Sequence, residues 1–265
     1  MPPQSPAMDC SPVASGSVAI SERGRRSDGA IPPHRLCEYT MKNLVITVLV
    51  DNADSWILPY VEELIATLSV GDHDVHFARH HGEIERGDVA FLLSCGSIVP
   101  KETLSLNRHN VVVHESALPM GKGWSPLTWQ ILEGKNEIPI TMFEAVERVD
   151  AGPVFFQDLM VFEGHELLHE LRDVQGRKTI ELCLRFIESY PEVGGVEQRG
   201  DESFYPRRRP DDSKVDVDES ILELFNRFRV ADNIRYPVFF EHLGYRYVLK
   251  IEKVGRAPPS EGLSG

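Results

Sequence analysis

Cysteine is scarce in this chain and unpatterned: Cys10, Cys37, Cys95 and Cys183 are the four, and no two stand in a Cys-x-x-Cys spacing. That excludes a disulfide-built scaffold and fits a reduced, cytoplasmic protein. Long hydrophobic runs are missing too; none approaches the roughly 18 residues of a membrane span, so no membrane partner is expected. Basic charge is in deficit, with 28 Lys and Arg against 41 Asp and Glu and a formal net charge of −13. Such a balance offers no broad surface to a polyanion, so no nucleic-acid partner is expected either. The one local exception, Arg207-Arg208-Arg209, could hold a single phosphate or carboxylate, or lie in a solvated loop. No internal repeat is present.

What remains is an ordinary globular composition, 42% hydrophobic and 26% charged over 265 residues, enough for one large domain with a small appendage. Residues 1–40 stand apart. They are rich in Pro, Ser, Gly and Arg, carry no hydrophobic period, and lack the apolar centre of a signal peptide. They read as a disordered tail or an over-extended gene start, with Met41 and "KNLVITVLVDN" opening the folded part. The catalytic domain is expected over 41–195, a small C-terminal subdomain over 196–254, and a frayed tail over 255–265.

Within the folded part, strands and helices alternate. Asn43–Val50 is a continuous β-branched run, the mark of a strand buried on both faces. Ser55–Val70 has helical spacing, with Pro59 in its first turn. His73–Arg79, Gly87–Gly96 and Asn110–Ser116 read as the next strands, Ser125–Gly134 as a helix, and Ile138–Val146 and Gly152–Phe162 as two further strands. His165–Tyr190 is helical with a break expected near Gly176. Asp218–Asp232 predicts a helix, and Tyr236–Val254 a hairpin turning at Leu243-Gly244. The pattern predicts an α/β fold: an open, mostly parallel, doubly wound (Rossmann-like) sheet, with a C-terminal helix and β-hairpin appended.

The strand "NVVVHES" ends in a histidine followed by a Pro- and Gly-rich loop. In open α/β sheets, ligands bind beyond the carboxyl ends of the strands, which is where His114 stands. The segment "VHESALPMGKGWSPLTWQILEGKNEIPITMFEAVERVDAGPV" resembles the folate-dependent formyltransferases, through His114, Ser116, Leu118, Pro119, Gly134, Thr141, Asp150 and Gly152. The resemblance runs from about Met41 to Arg229. The stretch "YPRRRPDDSKVD" with "ILELFNRFR" further resembles the branch that formylates amines on nucleotide sugars.

The resemblance implies an enzyme that takes a formyl group from N10-formyl-tetrahydrofolate as co-substrate, with no metal, and gives it to a primary amine. The acceptor implied is an amino sugar on a nucleotide, of the kind used for surface polysaccharide. Formyl transfer needs an oxyanion stabilised and protons moved between nitrogens, for which an imidazole held by a carboxylate is suited. His114 is assigned to oxyanion stabilisation and proton transfer, and Asp150 to its polarisation. The folate is expected against Leu93, Ser94, Cys95 and Gly96 on one side and Phe143, Glu144, Ala145, Val146, Glu147 and Val149 on the other. Lys122, Trp124, Arg207 and Arg208 are the substrate-binding candidates. A homodimer is the assembly left open.

One position departs from the family. An asparagine is expected two residues before the histidine, and Val112 stands there. Asn110 shares a strand face with His114 but lies about 13 Å away; Ser116, Glu115 or the Ser94–Gly96 turn are the other groups able to supply the missing donor. A folate-site protein that has lost catalysis is therefore the alternative. A third reading comes from "HELLH", His165–His169, which matches the zinc-peptidase pattern with Glu166 as base and Glu188 as the third ligand; against it stands a solvated helix face.

Overall fold

The computed structural model describes residues 43–257. The expected tail over 1–40, with Cys10 and Cys37, and all but the first three residues of the tail over 255–265 lie outside the described residues. The first strand, β1 (Val45–Leu49), is the β-branched run of the sequence, buried along nearly its whole length. Parallel to it on either side lie β2 (Asp74–Ala78) and β3 (Gly87–Leu92). Beyond β3 follow β4 (Asn107–His114), β6 (Glu137–Glu144) and β7 (Val154–Val161), giving a six-stranded sheet in the order β2-β1-β3-β4-β6-β7. The first four strands are parallel, and β6 runs antiparallel to both of its neighbours. The sheet is therefore the mostly parallel, doubly wound one expected.

The chain leaves β1 toward β2 and returns to the other side of β1 as β3. The strand order thus reverses between β1 and β3, and the crevice at their carboxyl ends is where such sheets bind ligands. Helix α1 (Leu58–Val70) packs Val61, Leu64 and Leu68 inward, with Pro59 in its first turn, where a missing N–H costs little. Helix α4 (Leu168–Glu188) covers the sheet through Leu171, Ile180, Cys183, Phe186 and Ile187.

Helix α4 departs from expectation at two points. It runs without a break through Gly176, and it begins at Leu168 rather than His165. A Cβ on Gly176 would lie 2.6 Å from the ring of Tyr60 on α1, so the glycine serves close packing of two helices rather than a kink. The last expected helix is also shorter. Only Phe225–Arg229 (α5) is α-helical, and the acidic residues before it lie in turns. Among the short elements that escaped the sequence are α2 (Lys101–Leu104) and the two-residue strands β5 (Lys122–Gly123) and β8 (Phe204–Tyr205), which pair in parallel. The hairpin β9 (Val238–His242) and β10 (Tyr245–Leu249) turns at Leu243 and Gly244, both at positive φ, as two-residue hairpins favour.

The C-terminal residues are tied to the sheet domain by Arg229, which is 1% exposed. Its guanidinium donates to Asn136 Oδ1 at 2.8 Å and to the Glu166 carboxylate at 3.2 Å. A buried ion pair is destabilising when one partner is removed, because the other charge is stranded. Glu166→Ala is expected to cost about 3–5 kcal/mol, read as a drop in the urea midpoint with an unchanged slope.

Candidate active site

Strand β4 delivers His114 to the carboxyl edge of the sheet, where its side chain is 9% exposed. Ring atom Nε2 lies 2.8 Å from the Gly121 carbonyl oxygen. A carbonyl only accepts, so Nε2 carries the hydrogen and Nδ1 is the acceptor nitrogen. Asp150, 11% exposed, places Oδ2 at 4.0 Å from Nε2. It accepts from the Gly123 N–H at 2.9 Å.

Asp150 sits at φ 51, a left-handed conformation that strains most side chains and that Asp tolerates better than most. Two hydrogen bonds hold that turn: Gln198 Nε2 donates to the carbonyls of Asp150 and Gly152 at 3.1 and 2.9 Å. Gly152 is required there, since a Cβ would fall 1.8 Å from the Glu144 carbonyl oxygen. The loop after His114 is fixed by the β5–β8 ribbon, with Gly121 N–H donating to Ser203 Oγ at 2.8 Å.

Around this pair lies a cleft of about 590 Å³, within the usual range for small-molecule sites. Leu93, Ser94, Cys95 and Gly96 form one side, and Phe143, Ala145, Val146 and Val149 another. Two walls of mixed apolar and backbone surface suit a flat heterocycle, so the residues present fit a folate ring. Trp124 and Arg207 stand together at the cleft, the guanidinium 4.7 Å from the ring centre. Burial, with the Asp51 carboxylate adding to it, pushes the Cys95 thiol up to about 12, away from the thiolate form.

Several expected residues do not reach the cleft. Glu144 turns to the far end of β4, bonding His109 Nδ1 at 2.8 Å and accepting from the Asn110 N–H at 2.6 Å. Glu147 is exposed beside Lys101. Lys122 is 1% exposed and spent on Glu202 at 2.8 Å. Arg208 is half-buried under Tyr236 and donates to Ser213 Oγ at 3.0 Å. Asn110 donates to the Leu104 carbonyl at 2.8 Å, and no bulge shortens β4 between it and His114. Ser116 is buried away from the cleft, its hydroxyl oxygen unpartnered and its carbonyl accepting from Thr141.

Other residues enter that the sequence did not single out as site residues. Asp51 follows β1 and accepts from the N–H groups of Gly96 and Ser97 at 2.8 to 3.0 Å. Its place after a strand at the point of reversal was the signal. Gln175 and Thr179 reach the cleft from α4; two polar residues at i and i+4 on an otherwise apolar inward face marked them. Glu115, weighed only as a stand-in donor, lines the cleft beside His114. Burial pushes its carboxyl above the ordinary Glu range, opposed by His114 and by the Gln175 hydrogen bond.

The HELLH reading does not survive. His165 and Glu166 precede α4, so the two histidines do not share a helix face. Glu166 is committed to Arg229, and Glu188 ends the same helix about 30 Å from its start.

Residues 71–173 match the formyl transferase family. A methionyl-tRNA formyltransferase of Thermus thermophilus is 30% identical over 183 residues, 67% of this chain and 57% of that protein. The chain thus spans just over half of that relative's length. Among solved structures, a likely sugar N-formyltransferase from Mycobacterium tuberculosis superposes with a TM-score of 0.64 at 18% identity, over 81% of this chain and all of the other. HypX from Aquifex aeolicus in complex with tetrahydrofolic acid gives 0.66 at 16% identity, over 83% of this chain and 40% of the other. At those identities the structures bear on the fold alone.

Proposed function

Because the chain belongs to the formyltransferase family, we propose that it moves a formyl group from N10-formyl-tetrahydrofolate to the primary amine of a nucleotide-linked amino sugar. The observation that carries the reading is the near-buried His114–Asp150 pair at the floor of a cleft sized for a small ligand. Bound folate would lie between Leu93–Gly96 and the Phe143–Val149 loop and supply the formyl carbon.

His114 carries the proton chemistry. With Nε2–H held by the Gly121 carbonyl, Nδ1 is without a partner among the described residues. Nδ1 takes a proton from the attacking amine, and the imidazolium formed has Asp150 on its Nε2 side. The same ring returns the proton to the departing nitrogen. Asp150 orients the loop through Gly123 and stabilises the charged ring without itself being protonated.

For the acceptor, Trp124 and Arg207 offer a π-face and a guanidinium together, suited to a base and a phosphate. Methionyl-tRNA is the acceptor named for the Thermus relative, and the net charge of −13 opposes a polyanion here. The test is formyl transfer from N10-formyl-tetrahydrofolate to a panel of nucleotide-linked amino sugars with methionyl-tRNA beside them. Product only on the tRNA would overturn the sugar assignment.

A binding protein that has lost catalysis is the second reading, favoured by Val112, which lines the cleft without a donor. Val112→Asn separates the two. A degraded enzyme should gain tenfold or more in single-turnover rate, while the enzyme proposed here should stay level or fall, because its oxyanion donor is already in place.

A further inference from the structure

We propose that Glu115 is the group that binds the formyl oxygen as negative charge builds on it, and that Gln175 positions it. The inference rests on formyl transfer being the reaction. Its starting point is that several of the donors lining the cleft are already committed. The N–H groups of Gly96 and Ser97 serve Asp51, at 2.8 to 3.0 Å. The Gly123 N–H serves Asp150 at 2.9 Å, and the ring hydrogen of His114 serves the Gly121 carbonyl at 2.8 Å. The Thr179 hydroxyl donates to the Gln175 carbonyl at 2.8 Å. Val112, on the same strand face as His114, has nothing to give.

Glu115 is differently placed. Gln130 Nε2 donates to its carbonyl at 2.6 Å, which fixes the backbone, and Gln175 Nε2 donates to Oε1 at 2.5 Å, which fixes the carboxyl. The glutamate's own backbone N–H also acts on the carboxyl and favours its charged form, and the residue lines the cleft. A carboxyl held by Gln175 through one oxygen can act as a donor through the other when it carries its proton. Burial favours that neutral form. The charged groups acting on the carboxyl are His114 at the end of β4, which draws its pKa down, and Asp150 in the β6–β7 turn, which pushes it up; Gln175 of α4 faces it and draws it down.

The step balances without a further reactant. The acceptor nitrogen forms its bond to the formyl carbon, and the carbonyl π pair moves onto oxygen. The Glu115 O–H donates to that oxygen and keeps its proton. When the pair returns, the bond from carbon to the donor nitrogen breaks, and His114 carries the proton from the incoming nitrogen to the outgoing one.

Glu115→Gln preserves a donor that never titrates, and Glu115→Ala removes it. The Gln variant is expected within about tenfold of the parent at neutral pH, and the Ala variant about a hundredfold or more below it. Parent turnover should fall as pH rises through the raised Glu115 value, and the Gln variant should lose that fall. A second readout needs no substrate. A carboxyl with a raised folded pKa binds its proton more tightly folded than unfolded, so it stabilises at low pH and loses that contribution upward from about 4.3, the ordinary Glu value. Urea unfolding should show the parent losing stability relative to Glu115→Gln as pH rises from there.

An equal pH dependence in the two proteins would mean that Glu115 is ionised, and would overturn the proposal even if formyl transfer is seen. An Ala variant with parental turnover would overturn it as well. Should the stability difference appear while the parent formylates no amine, formyl transfer itself is wrong, and the role given to Glu115 falls with it.

Discussion

His114→Asn is expected to lower formyl transfer by about a hundredfold or more while leaving the fold intact. The asparagine amide falls short of the Gly121 carbonyl that Nε2 now meets at 2.8 Å, but the loop after β4 keeps its anchor through the Gly121 N–H, which donates to Ser203 Oγ at 2.8 Å. What is lost is the titratable acceptor for the amine proton. The loss should therefore fall on turnover, with KM for the acceptor little changed. The measurements are steady-state kinetics on the parent and the variant, and circular dichroism to show that the variant folds. Near-parental turnover would remove His114 from the mechanism.

Asp150→Asn is expected to cost about a hundredfold in turnover, equal to roughly 2.7 kcal/mol of transition-state stabilisation. Asparagine accepts the Gly123 N–H as aspartate does, and it tolerates the left-handed φ of 51. The substitution thus isolates the charge. At 4.0 Å, a carboxylate and an imidazolium attract by about 4 kcal/mol at an effective dielectric of 20, enough to account for a loss of that size. Asp150→Ala should lose more, because it also releases Gly123. A variant series in which Asn equals the parent and only Ala is impaired would reduce Asp150 to a loop anchor.

The sheet was legible because its signals are local. A β-branched run such as Asn43–Val50 has to be buried on both faces, and the alternation of such runs with helical periods leaves few arrangements. The reversal between β1 and β3 then places a cleft near Leu93–Gly96 before any side chain is considered. His114 and Asp150 were readable from chemistry and resemblance together.

Side-chain direction was not readable at the same level. Lys122 looked like a substrate contact and is a buried partner of Glu202, 80 residues downstream in sequence; nothing local announces a pair that distant. Glu144 was swept in with Phe143 and Ala145, although successive strand residues face opposite ways, and Glu147 lies past the end of β6 beside Lys101. Gly176 shows the opposite error. A glycine in a helix reads as a break, and only the Tyr60 ring across the interface explains it. The HELLH motif failed for a related reason: a five-residue pattern carries meaning only on one helix, and here the helix starts after its first three members.

The central claim is that the His114–Asp150 pair performs formyl transfer to an amine. The most direct measurement is a single-turnover reaction with N10-formyl-tetrahydrofolate and a nucleotide-linked amino sugar, following formylated product by mass for the parent and His114→Asn. The account predicts formylated acceptor from the parent, and product forming about a hundredfold or more slowly with the variant. Equal rates from both proteins, or no transfer to any amine from a parent that binds folate, would contradict it.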